Sequence, residues 1–418
     1  MSPTFRSLRV RNYRLFAGGQ LVSLTGTWMQ AVGQDWLVLQ LTGSGVALGI
    51  TMALQFLPML LFGLWGGLLA DRLDKRRLLV AVQSVMAVLA LTLGVITVTG
   101  VVEVWMVYVL AGALGLVTVV DNPTRQSFVS EMVEPEDVPN AVALNSATFN
   151  GARILGPAIA GLVISAWGVA PVFFANTVSY AAVLVGLHQM RPEELRATRR
   201  AARGPGQLRA GLRYVRSHGE VLVPMLLTAV VATFGLNFRV TLALMSDGPF
   251  AGGAGTYGFL SAVLAAGALT GALVAARRRR PRQLVLVGAA LAFGLLELTL
   301  ALMPSLPLFA LVLFPTGMAV ILFTATANAT VQLASDEHVR GRVMALYALV
   351  FLGGTPLGGP LMGWLAERFG PPAALAVGGV ASAGAAALVG LVLLHRRGPV
   401  ARRSARRRWI PITFDALR

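Results

Sequence analysis

Cysteine is absent from the 418 residues. That excludes a disulfide framework and a thiolate metal site. Histidine is nearly as scarce: His188, His218, His338 and His395 lie far apart, without ligand spacing, so no metal is expected. Charge is thin as well. Only 13% of residues are charged, where a soluble domain carries about 25%. Acid is the scarcer sign, with 18 Asp and Glu against 35 Lys and Arg. No Gly-x4-Gly-Lys-Ser/Thr loop occurs, so direct coupling to ATP is not expected. No nucleophile–base constellation appears either, and the chain is not expected to be an enzyme.

What fills the chain is apolar sequence, 56% of it. Long apolar runs fall at about 13–41, 46–70, 78–99, 104–128, 141–166, 172–190, 221–245, 256–276, 283–303, 308–332, 343–366 and 373–394. A bilayer-crossing helix needs about 20 such residues. The runs predict an all-α polytopic membrane protein of twelve spans. Arg6, Arg9, Arg11 and Arg14 precede the first, and no small-residue cleavage site follows a short apolar core. The first run is therefore expected to be a retained helix, not a signal peptide. Base collects in alternate loops and at both ends of the chain, which places both termini in the cytoplasm. Such a regular alternation explains the net charge of +17 as topology and attraction to anionic lipid, with no nucleic-acid partner.

Residues 191–220 hold eight Arg, three Glu and a Gly-Pro-Gly, with no apolar run. They read as a cytoplasmic link, and 208–217 as a short amphipathic helix on the membrane surface. The expected organisation is an N-terminal six-helix bundle (1–190), the basic linker (191–220), a C-terminal six-helix bundle (221–395) and a basic tail (396–418). The halves echo each other: Gly63 and Gly67 match Gly267 and Gly271, Asn122-x3-Gln126 matches Asn328-x3-Gln332, and Gly156-Pro157 matches Gly359-Pro360.

Between the second and third runs stands Gly67-Leu-Leu-Ala-Asp71-Arg72-Leu-Asp74-Lys75-Arg76-Arg77. This charged turn resembles the signature loop of the major facilitator superfamily, with Asp74 where the pattern usually has Gly. The resemblance implies two pseudo-symmetric six-helix bundles and a gate in which Gly67 allows close packing, Asp71 is the acid, and Arg72, Arg76 and Arg77 are the bases. It also implies that Asp121, at the inner end of span four, reaches those bases; the other reading is an i,i+4 pair with Arg125. The second half lacks the gate acid, Ala275 standing where Asp71 would be. Gly156-Pro157 and Gly161 in span five resemble the Gly-Pro packing motif of superfamily exporters. Leu41-Thr-Gly-Ser44, Asp121-Asn-Pro-Thr-Arg-Gln126 and Ala152-Arg-Ile-Leu-Gly-Pro157 resemble the branch that holds enterobactin and macrolide efflux proteins.

Ionisable groups at bilayer depth are expensive and point to function. Asp35 lies in span one beside a polar stripe of Ser23, Thr27, Gln30 and Gln34, expected to face a wet cavity. Asp35 is either a proton-coupling carboxylate or a wet interfacial acid. Glu297, in span nine, is the other proton-coupling candidate. Arg153 and Arg239, with Asn237, Phe149 and Phe238, are candidates to line a substrate cavity; alternatively the arginines pair internally with Asp35 or Glu297.

The resemblance implies proton-driven export of an amphipathic small molecule (a drug, siderophore or secondary metabolite) by alternating access, from a bacterial cytoplasm through the cell membrane. No cofactor is expected beyond the proton gradient. The expected partners are the substrate and membrane lipid, and the expected state is a monomer. A uniporter or importer of the same fold is the alternative, and a transport-inactive receptor or assembly factor a third.

Overall fold

In the computed structural model, residues 3–196, 207–277 and 283–396 are described. The basic tail beyond residue 396 and most of the 277–282 arginine cluster lie outside them. Helices account for nearly all of these residues, and no strand occurs among them. In chain order they are α1 (Arg11–Thr42), α2 (Gly45–Arg72), α3 (Lys75–Val98), α4 (Val104–Met132), α5 (Val138–Trp167), α6 (Ala170–His188), α7 (Gln207–Ser217), α8 (Gly219–Val230), α9 (Phe238–Asp247), α10 (Gly253–Ala276), α11 (Gln283–Ala301), α12 (Leu306–Ala334), α13 (Glu337–Phe369) and α14 (Pro371–Arg396).

Among the described residues, eleven segments are long and apolar enough to cross a membrane, against the twelve expected. The one that falls short is α1. It is 32 residues long, but Asn12, Gln20, Ser23, Gln30, Gln34 and Asp35 are all buried within it and lower its hydropathy. The chain is a multi-pass membrane protein whose first helix turns polar groups inward.

Local chemistry sets the turns. After α1, Gly43 takes the left-handed conformation (φ 61°) and its N–H bonds Leu39 O at 2.7 Å. Ser44 then caps α2, its hydroxyl accepting from Ala47 N at 3.1 Å. A residue without a Cβ is the natural helix stop, and Ser a natural start. Within the signature loop Asp74 caps α3, accepting from Arg77 N at 2.8 Å. The departure from the family's Gly is therefore a helix cap.

The chain forms two compact units: Met1–Ala202 with Leu242–Ala265, and Arg203–Thr241 with Ala266–Arg418. In the first, Tyr13, Phe16, Leu79, Phe128 and Leu187 form one buried cluster, Phe16 and Phe128 meeting edge to face at 5.7 Å. α8 and α9 make one span, broken by a π turn at Val231–Gly235 that lies in the second unit. There Leu236 N bonds Val231 O at 3.0 Å, and the Asn237 side chain donates to Thr233 O at 2.8 Å. A π turn inside a helix often marks a site that is used.

The helix expected on the membrane surface is α7, and it is docked. Val215 is buried. The Tyr214 hydroxyl lies between Ala334 O (3.4 Å) and Asp336 N (3.2 Å), and burial pushes it above its ordinary range.

Candidate functional site

The first unit concentrates the polar chemistry. Asp35 on α1 is fully buried, and the Tyr257 hydroxyl of α10 donates to its Oδ2 at 2.7 Å. Trp36 stacks over Tyr257, ring centroids 6.4 Å apart. Tyr257 reaches Asp35 because its helix meets α5 closely: the ideal Cβ positions of Gly161 and Gly258 each fall on the other's backbone. This gives the Gly-Pro motif its role here. Gly156 lets α5 touch α1 at Thr25 and Trp28, and Gly161 lets it touch α10.

Farther along α1 the polar stripe divides. Gln30 accepts from Asn176 Nδ2 of α6 at 2.6 Å, and Thr27 meets the Tyr180 hydroxyl at 3.4 Å. Gln30 is thus held inside the unit, not turned to a wet cavity. Gln34, 2% exposed, keeps its Nε2 without a partner, as does the Ser23 hydroxyl.

In this structure Asp121 makes the i,i+4 pair with Arg125. Its Oδ1 accepts from Gln83 of α3 at 2.7 Å and its Oδ2 from Arg125 at 2.6 Å. Arg125 also bonds Gln20 of α1. None of Arg72, Arg76 and Arg77 bonds it in this structure. Arg76 instead donates to the last carbonyls of α6, Leu187 O at 2.7 Å and His188 O at 3.3 Å, where the helix dipole welcomes a cation. Lys75 pairs with Glu131 of α4. Arg72 and Arg77 are exposed, and Asp71 is half-buried. The tight α2–α4 contact falls on Gly66, beside Gly67, against the Val119 carbonyl.

Arg153 is half-buried on α5, its guanidinium 5.8 Å from the Trp28 ring centroid. Phe149 meets Trp28 edge-on at 5.9 Å. Arg153 makes no ion pair or hydrogen bond among the described residues.

In the second unit Glu297 is 2% exposed, and its Oε2 has no partner. It forms no ion pair among the described residues, which removes the internal pairing of a mid-span arginine with it. Glu297 Oε1 and Phe234 O both crowd the place a Cβ would take at Gly378. Phe238, 7% exposed, packs edge-on against Phe293 at 6.1 Å. Asn237 is 1% exposed and braces the π turn. Both belong to the packed interior of their unit, against the expectation that they line a cavity. Arg239 is half-buried.

Sequence reasoning missed Tyr257, Asn176, Gln83 and Gln20, the partners of the groups it singled out. Gln83 was visible as the one amide in an apolar run; the others carry no local signal.

The sequence profile of the transmembrane secretion effector family matches residues 2–412. The staphyloferrin A transporter of Staphylococcus aureus is 24% identical over 367 residues, covering 85% of this chain and 90% of that protein. The multidrug efflux pump Tap of Mycolicibacterium fortuitum is 28% identical over 371 residues, covering 85% and 89%. Among solved structures, the POT family transporter PepTSo superposes with a TM-score of 0.73 at 12% identity, covering 93% of this chain and 98% of its own. The chain belongs to the transmembrane secretion effector family and is a transporter of the major facilitator superfamily.

Proposed function

We propose that the protein is a monomeric secondary transporter that exports an amphipathic small molecule from a bacterial cytoplasm in exchange for inward-moving protons. Both termini lie in the cytoplasm, and the signature loop around Asp71 gates the inner side. The observation that carries the coupling is the buried carboxyl of Asp35 beneath the Tyr257 hydroxyl. An ionised Asp35 accepts a charge-assisted hydrogen bond, and a protonated one a weaker, neutral bond. Loading a proton therefore changes the free energy that ties α1 to α10. A ligand shifts a conformational equilibrium only by such a difference between states. The efflux and siderophore transporters among the relatives support the export reading.

The test uses inside-out vesicles containing the full chain and a panel of dyes and siderophores. Accumulation that collapses on adding a protonophore is expected. Accumulation in right-side-out vesicles instead assigns an importer. Accumulation indifferent to the protonophore removes the proton.

A further inference from the structure

Arg153 sits 15 residues after the start of α5 and 14 before its end. At about 1.5 Å per residue, roughly 21 Å of helix separates it from either end. An arginine side chain is far too short to reach either end of the helix. Yet the guanidinium keeps its planar fork of donors without an acceptor among the described residues. The face of Trp28 offsets only part of the cost of a charge at membrane depth. The place is built by packing. Gly156 sits where a Cβ would strike Trp28, so α5 and α1 touch there and bring the indole to Arg153. Phe149, Arg153 and Gly156 lie on one stripe of α5 by their i, i+4, i+7 spacing. Phe149 is 43% exposed, so this aromatic corner is open at its edge.

From this corner we infer that the transported molecule is an organic anion: a carboxylate seated on the Arg153 fork, with a flat apolar group against Trp28 and Phe149. A guanidinium matches a carboxylate with two parallel hydrogen bonds, which neither a neutral nor a cationic amphiphile offers. The ring pair supplies apolar contact of fixed shape beside that charge.

The inference rests on the export reading, and two measurements separate them. The first is equilibrium binding to the full chain in zwitterionic nanodiscs, with empty nanodiscs as blank. The probes are dansyl-phenylalanine and its amide, which differ by one carboxylate. We expect the acid to bind about tenfold tighter than the amide, the scale of one charge-assisted pair. Arg153→Gln is expected to bring the two probes together, and Arg153→Lys to restore part of the gap. Equal affinities in the wild type overturn the inference, and so does an Arg153→Gln variant that retains the preference. If Arg153→Gln fails to insert, the wild-type pair alone decides. The second measurement is proton-driven movement of both probes in proteoliposomes. Movement of the amide without binding preference for the acid keeps export and ends the anion; preference without movement does the reverse.

Discussion

Of the buried carboxyls, Asp35 lies in the first unit and Glu297 in the second, and their surroundings differ. Asp35 is seated under a phenol from a helix 222 residues away in sequence. Glu297 has no hydrogen bond or ion pair among the described residues; its Oε1 and the Phe234 carbonyl both crowd Gly378. Burial alone, then, does not distinguish a group that exchanges protons from one that fills space. A proton site needs a partner whose bond changes when the proton leaves, and Asp35 has one. On the proposed coupling, the proton belongs to Asp35 in the first unit, and Glu297 only packs in the second.

The largest effect that tests this assignment is Asp35→Asn. The amide keeps the size and can still accept from Tyr257, but it binds no proton. Protonophore-sensitive accumulation in vesicles is expected to fall about tenfold or more, the loss expected when a charge-assisted bond of about 1.5–3 kcal/mol no longer switches. Retained coupling in this variant moves the proton elsewhere and breaks the comparison at its stronger end. Next is Gly378→Leu, which forces a side chain onto Glu297 and the Phe234 carbonyl. Overpacking of this kind costs about 1–3 kcal/mol, read as a lower melting temperature of the purified protein. An unchanged melting temperature would mean the second carboxyl is not held by packing.

Much of this architecture is legible from composition. Apolar runs mark the spans because lipid demands them, and α1 is the least apolar of them for the reason that makes it informative: its buried polar groups face protein. Asp74 is legible as a helix cap from its place before Lys75-Arg-Arg77, once the family's Gly is set aside. The partners are another matter. Nothing near Asp121 in sequence points to Gln83, and nothing near Gln30 points to Asn176; both pairs form only when helices far apart in the chain pack side by side. The i,i+4 pair of Asp121 with Arg125 was readable because both ends lie on one helix. Asp35 was readable as an oddity and Tyr257 was not, since a tyrosine in an apolar helix is ordinary until the α5–α10 contact at Gly161 aims it.

A smaller effect comes from Tyr257→Phe. It removes one donor and leaves the acid able to titrate, so transport should persist. A single hydrogen bond contributes about 1 kcal/mol. That corresponds to roughly a fivefold drop in proton-driven rate. A loss as deep as that of Asp35→Asn would make the phenol itself part of the proton path, and the seat would then be a relay of two groups.

The smallest effect should come from Glu297→Gln, the variant that sharpens the comparison most. Glutamine has the shape of the neutral acid and cannot ionise. If Glu297 only packs in its seat beside Gly378, the substitution changes little: a transport rate within about twofold of wild type, because a replacement that conserves volume in a packed interior is tolerated best, and an unchanged response to the protonophore. Loss of coupling in Glu297→Gln would place a working proton in the second unit and reverse the assignment.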